Sequence, residues 1–302
     1  MTVSSRVPTV VLNNGVEMPQ IGLGLGNGLD AGQMVTCVAA ALEAGYRSFD
    51  TATRYRNEEG LGQALLRPGV PREELFITTK LWNTDHGRES TLRAFDASLR
   101  RLGLDYIDLY LIHFPAPMLG KYVETWLTLE ELHRDGRIRA IGVANFKSHH
   151  IADILDAGTI VPAVNQIEVH PRYQQGPMRG FHAKHGIRTE AWSPLARRLL
   201  FHDPVLSSIA GRHDATLVQV VLQWHLRLGN IVIPKTVTPA RMRENLDAVN
   251  GPALGEGDMA LIRGLDCDAR TGPDPDEFLD GGVDWDEVTA RWKRLVNKAD
   301  SA

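Results

Sequence analysis

The feature that most narrows the folds open to this chain is a repeated punctuation: a segment of helical period, a glycine, then a short run rich in β-branched residues. Such runs read as strands at residues 20–24, 47–50, 75–80, 107–113, 140–143, 163–168, 188–192 and 231–234. Segments with apolar residues three and four apart read as helices at 33–44, 88–102, 123–135, 178–185, 217–228 and 240–249. Gly45, Gly103, Gly136, Gly186 and Gly229 stand directly after five of them, where a left-handed residue commonly closes a helix. A strand–helix unit returns the next strand in parallel, so eight units predict an α/β fold with a closed (β/α)8 TIM barrel. An open doubly wound sheet uses the same alternation and is the rival topology. The absence of any break in composition across the eight units favours closure.

Both ends carry additions. Asn13-Asn14-Gly15 lies between β-forming runs at 9–12 and 16–18, a strong hairpin signal, and predicts an N-terminal β-hairpin that plugs the barrel's bottom. Residues 270–282 are rich in Pro, Gly and Asp and read as a loop; 283–297 read as a final surface helix. The whole chain, 1–302, is expected to form a single domain.

Composition excludes several functions. A net charge of −4 gives neither a nucleic-acid footprint nor a polybasic membrane anchor. Two cysteines, Cys37 and Cys267, make no disulfide framework and no thiolate metal site. His149-His150 and the His182/His185 pair match no zinc pattern, so no metal is expected. Residues 1–8 lack the apolar run of a secretory signal, and the longest apolar stretch, 106–115, is broken by Asp108 and His113. A cytoplasmic, monomeric protein that leaves membranes alone is the expectation.

The barrel reading brings four reactive side chains to one face. Asp50 closes the second strand, Tyr55 follows in its loop, Lys80 closes the third strand and His113 the fourth. Strand C-termini form the face where barrel active sites sit. Tyrosine is a weak acid with a pKa of about 10. A neighbouring ammonium favours its phenolate, and a carboxylate behind the ammonium keeps that ammonium charged. A histidine can orient a carbonyl oxygen by hydrogen bonding. Together they suit protonation of the alkoxide formed when hydride attacks a carbonyl. Each alone has an ordinary reading: a loop cap, a snorkelling lysine, an exposed aromatic, a core histidine. The joint placement carries the argument.

The words around these residues carry a resemblance. Tyr46-Arg47-Ser48-Phe49-Asp50-Thr51-Ala52, followed by Tyr55, Asn57-Glu58 and Gly62, resembles the first signature of the aldo-keto reductases. Phe76-Ile77-Thr78-Thr79-Lys80-Leu81-Trp82 and Leu109-Tyr110-Leu111-Ile112-His113-Phe114-Pro115 resemble the segments that hold that family's lysine and histidine. Ile233-Pro234-Lys235-Thr236, with Arg241, Glu244 and Asn245 following, resembles its cofactor signature. The resemblance implies a (β/α)8 barrel, NADP(H) as cofactor, and reduction of small aldehydes, dicarbonyls or keto-sugars. Asp50, Tyr55, Lys80 and His113 would be catalytic, with Trp82, His113 and Phe114 against the substrate. Asn145 and Gln166 would bind the nicotinamide carboxamide and Trp192 would stack on its ring, with Ser193, Leu195, Lys235, Thr236, Val237, Arg241, Glu244 and Asn245 completing the cofactor site.

Trp192, where many members carry tyrosine, is similar to bacterial 2,5-diketo-gluconate reductase-like members. Ala144 replaces a usual serine and forfeits a hydrogen bond worth about 1 kcal/mol, which indole stacking offsets. Leu25 replaces a usual threonine, and Ala196-Arg197-Arg198 a glycine-rich loop. Two cations and a hydroxyl at Lys235, Thr236 and Arg241 suit the 2′-phosphate of NADPH. Two alternatives remain. Gly26-Asn27-Gly28-Leu29-Asp30-Ala31, with Asp50 about 20 residues on, mimics the fingerprint of a Rossmann-type NAD dehydrogenase. A noncatalytic NADPH-binding barrel is the other.

Overall fold

The computed structural model describes residues 7–66, 69–282 and 284–301. A hairpin of β1 (Thr9–Val11) and β2 (Glu17–Pro19) comes first. The main sheet follows, with β3 (Leu23–Gly24), β4 (Ser48–Asp50), β5 (Phe76–Leu81), β6 (Ile107–Ile112), β7 (Ile138–Ala144), β8 (Val164–Glu168), β9 (Arg188–Trp192) and β10 (Ile231–Val232) parallel and in sequence order. Ile21 bridges to Val232, with Gly22 N donating to Val232 O at 3.0 Å and Val232 N to Gln20 O at 2.9 Å. These bonds join the first strand to the last. The ring is closed, and the open Rossmann sheet is excluded.

The first and last strands are shorter than the expected 20–24 and 231–234. Pro234 has no N–H for the ladder, and Gly24 lies so close to the last strand that a Cβ there would sit 2.9 Å from Ile233 O. The helices are α1 (Ala31–Ala44), α2 (Glu58–Leu65), α3 (Arg88–Leu102), α4 (Tyr122–Arg134), α5 (Ser148–Ala157), α6 (Gly176–His185), α7 (Pro204–Arg212), α8 (Leu217–Arg227), α9 (Pro239–Asp247), α10 (Glu256–Arg263) and α11 (Trp285–Asp300). Helix α1 begins two residues before the expected 33 because Asp30 accepts from Gln33 N at 2.8 Å in a capping box. Gly45 closes it at φ 110°. The periodicity missed α2, α5, α7 and α10, of 8 to 10 residues each, although α6 and α9, with 10 and 9 residues, were legible. Of the expected final helix, Val283 lies outside the described residues; Asp284 caps α11 by accepting from Asp286 N and Glu287 N.

Leu12 and Met18 of the hairpin are buried with Phe76, Leu109, Ala163 and Ile231, side chains at the entering ends of the strands. The hairpin therefore plugs the barrel's bottom. Asp108, which interrupted the apolar run of β6, is fully buried there and accepts from Arg72 at 2.5 Å and Arg139 at 2.8 Å. With the bottom sealed, the opposite end is left for the reactive groups.

Helix α2 reaches α3 through Gly62, where a Cβ would lie 2.5 Å from Leu102 O and 2.7 Å from Arg101 O. Gly62→Ala is expected to cost about 1–3 kcal/mol in a urea unfolding experiment, whereas Gly211→Ala, in α7 with open space around it, should be neutral or stabilising. Equal midpoints for the two variants would show that the close approach imposes no constraint.

Candidate active site

The strand ends deliver the four expected side chains to one place. Lys80, in β5 and fully buried, holds its Nζ 2.6 Å from Asp50 Oδ1 at the end of β4 and donates to Thr51 O at 2.9 Å. Tyr55 sits in the single 3-10 turn Thr53–Tyr55 that follows β4. The Lys80 ammonium lies 5.4 Å from the Tyr55 ring centroid, and the Tyr55 and His113 rings meet edge to face at 5.7 Å. His113, directly after β6, also meets Trp82 at 5.0 Å, and Trp82 meets Phe114 at 6.4 Å. Catalytic and substrate candidates thus share one mouth.

Burial opposes the charge on Lys80, but the Asp50 carboxylate and Tyr55 outweigh it and hold the ammonium above the ordinary lysine value. Burial, reinforced by Lys80 and Arg54, pushes His113 well below 6.5, so its imidazole is neutral at neutral pH. Tyr55 corrects the simple sequence argument. Lys80 does act to lower the phenol, but burial acts more strongly and leaves it above 10. The group is a protonated phenol at neutral pH, the form a proton donor needs.

Gln166, on β8, spends both amide hydrogens on carboxyl groups: Asp50 Oδ2 at 2.8 Å and Glu190 Oε2 at 2.8 Å. Sequence reasoning missed Glu190. The available signal was strand alternation, which puts residues 188, 190 and 192 on one face and so turns a carboxyl toward the same side as Trp192. It also missed Phe278, whose ring lies 4.6 Å from Phe114 and 6.2 Å from Trp82. Only tertiary structure brings that loop residue over the pocket.

The remaining cofactor candidates line the same face. Asn145 takes a left-handed backbone (φ 62°), donates to His113 O at 2.9 Å and accepts from Trp192 Nε1 at 2.9 Å. Ala144, beside it, is buried with the barrel interior, and Leu25 belongs to the outer core. Ser193, Ala196, Arg197 and Arg198 all have positive φ, from 45° to 74°, conformations that glycine would adopt without strain. Leu195 in that loop is half-buried, and Arg197 stacks its guanidinium 3.9 Å from the Trp285 ring of α11. Lys235 follows β10 and donates to Asn27 O at 2.6 Å. Thr236 is buried; Val237 is exposed, as is Arg241 in the first turn of α9. Glu244 is half-buried, and Asn245 is buried against the Tyr46 hydroxyl.

A closed barrel with tyrosine, lysine, aspartate and histidine at its C-terminal mouth defines a class of carbonyl-reducing enzymes, and comparison with known proteins agrees. The family model described as the aldo/keto reductase family matches residues 20–266. This chain belongs to that family. It is 50% identical over 271 residues to an aldo-keto reductase of Mycolicibacterium smegmatis, covering 90% of this chain and 98% of the relative. It is 49% identical to the glyoxal reductase of Bacillus subtilis, covering 91% of this chain and 99% of the relative. Among solved structures, a variant of Gox0644 crystallised in complex with NADPH superposes with a TM-score of 0.85 at 47% identity, over 89% of this chain and 97% of the other.

The Lys80–Asp50 pair is expected to behave as a unit. Lys80→Met leaves a buried carboxylate unpaired and should cost about 3–5 kcal/mol in chemical denaturation. Adding Asp50→Asn should recover much of that loss, and an additive double variant would show that the two side chains are not coupled.

Proposed function

We propose that this chain reduces small aldehydes, dicarbonyls or keto-sugars to alcohols, with Tyr55 delivering the proton. It is an NADP-dependent oxidoreductase of the aldo/keto reductase family. The observation that carries the proposed roles is the contact set around Lys80: an ion pair of 2.6 Å to Asp50 and a ring centroid 5.4 Å away at Tyr55.

NADPH, when bound, supplies the hydride. The chain's own groups manage the rest. Neutral His113 hydrogen-bonds the carbonyl oxygen and orients it. As that oxygen gains negative charge, the Tyr55 hydroxyl gives up its proton, and the phenolate left behind is stabilised by the Lys80 ammonium, which Asp50 keeps charged and in place. Trp82, Phe114 and Phe278 provide apolar walls that exclude water and favour small, uncharged carbonyl compounds. The name of the B. subtilis relative, glyoxal reductase, supports a dicarbonyl.

The residues present fit the cofactor. The left-handed residues Ser193, Ala196, Arg197 and Arg198 store backbone strain of the kind found at ligand loops. Lys235 and Arg241 stand near the N-terminus of α9, where a phosphate is favoured. In this reading Asn145 and Gln166 hold the carboxamide, Trp192 lies against the ring, Ser193 and Leu195 support the pyrophosphate loop, and Lys235, Thr236, Val237, Arg241, Glu244 and Asn245 receive the 2′-phosphate end. Monomeric, cytoplasmic action by one domain spanning 1–302, without nucleic acid, completes the proposal. The net charge of −4 supports the part of it that leaves nucleic acid aside; no helix among the described residues is long and apolar enough to cross a membrane.

Tyr55→Phe should lose at least about 100-fold in carbonyl-dependent NADPH oxidation, the scale of a missing general acid, while still quenching tryptophan fluorescence on NADPH addition. Near-normal turnover would remove Tyr55 from its role; quenching without turnover in the wild-type chain would favour a noncatalytic barrel. Exchanging Lys235 and Arg241 for neutral residues should raise the Kd for NADPH about tenfold or more and leave NADH little changed. Equal losses for the two would refute the 2′-phosphate assignment.

A further inference from the structure

Glu190 is a carboxyl group that the chemistry argued above does not use. It lies on β9, its side chain is fully buried, and its Oε1 has no hydrogen-bond partner. Its Oε2 accepts from the Gln166 amide, whose second hydrogen goes to Asp50. One amide therefore joins Glu190 to the carboxylate that holds Lys80. The charged groups facing Glu190 are Asp50 from β4 and Lys80 from β5; β8 offers neutral Gln166, and β10 pairs it with apolar Ile231.

The charges around it can be counted. Asp50 and Lys80 cancel at 2.6 Å, so among the described residues the net charge of this buried floor is set by Glu190. A reduced nicotinamide ring is uncharged and an oxidised one carries a full positive charge. We propose that Glu190 is a redox-linked positioning residue: it holds the Gln166 amide, stays uncharged with reduced cofactor bound, ionises with oxidised cofactor bound, and so sets the relative affinity for NADPH and NADP⁺. The inference rests on the NADP(H) reading above. The only bond broken is the Glu190 carboxyl O–H, and its proton goes to solvent.

Burial, followed by the nearby Asp50 charge, raises Glu190 to about 8, against the lowering effects of Gln166 and Lys80. The acid is therefore neutral below about pH 8 and ionised above it. A cation brought beside it favours ionisation and lowers that value; a neutral ring does not. Tyr55 and Lys80 are both raised from values at or above 10, and His113 is lowered well below 6.5, so these neighbours do not titrate near pH 8. Lys235, whose pKa is lowered, is assigned to the phosphate common to both cofactors, so the ratio of the two affinities cancels its contribution.

The test is fluorescence titration of NADPH and of NADP⁺ into the full chain and into Glu190→Gln, from about pH 6.5 to 9.5. In the wild type, the ratio Kd(NADPH)/Kd(NADP⁺) should rise about tenfold across this range, the scale of one buried charge acting on another. In Glu190→Gln, which keeps the acceptor for Gln166 but cannot ionise, the ratio should stay flat and the NADPH Kd near neutral pH should change less than about threefold. An equal rise in both proteins, or a flat wild-type ratio, overturns the proposal. A measurement on the wild type alone guards against a variant that fails to fold: in weak buffer near pH 8, NADP⁺ should release protons to an indicator dye and NADPH should not, and equal release overturns it as well. Failure of the underlying cofactor reading looks different, since neither nucleotide would bind at any pH.

Discussion

An ammonium with none of its surface in water is tolerable only beside a carboxylate, and Lys80 is such an ammonium. That single requirement organises the upper half of the barrel. Asp50 must end β4 where β5 presents Lys80, and the parallel register that pairs Asp50 with Thr78 supplies that position. Asp50's second oxygen needs its own donor, which Gln166 provides from across the barrel. The 3-10 turn after β4 then sets Tyr55 over the ammonium. A site built this way is rigid because leaving any member unpaired would strand a charge in a dry place.

Much of this was legible in the sequence because it depends on periodicity and punctuation. Residues 88–102 and 188–192 have the expected bounds, the Asn13-Asn14-Gly15 hairpin forms, and Asp50, Tyr55, Lys80 and His113 converge. Strand order alone predicts that convergence once the ring closes. What stayed hidden depends on contacts distant in sequence. The net direction of the Tyr55 shift depends on how much water the finished fold removes. Glu190 reads as one more charged residue until Gln166 and Asp50 are seen beside it.

The tail loop shows the same limit from another side. Its Pro- and Gly-rich composition says only that it is irregular, yet the structure pins it at several points, among them Leu279 O, which accepts from Asn83 Nδ2 at 2.6 Å. Buried Glu168, at the end of β8, accepts from Thr271 N at 2.7 Å and Gly272 N at 2.8 Å. Lys147, beyond β7, pairs with Asp274 at 2.5 Å and Asp276 at 2.6 Å. Between them these anchors fix the path that brings Phe278 onto Trp82 and Phe114. The pocket wall is thus assembled from a loop whose position is dictated by charges on the barrel rim.

Trp192, Ala144 and Gly272 are best understood together. The usual serine hydroxyl is missing at Ala144, which instead packs into the barrel's apolar interior. The indole N–H of Trp192 donates to Asn145 Oδ1, so the neighbouring amide is fixed from one side by the indole and from the other by His113 O. An indole is larger than a phenol and needs room. Gly272 provides it: a Cβ at that position would lie 2.5 Å from Cη2 of Trp192. Glu168 holds Gly272 there through its backbone N–H. At this edge of the mouth the Asn145 amide is thus set by the indole's own hydrogen bond, and the indole by a glycine held where the ring needs space.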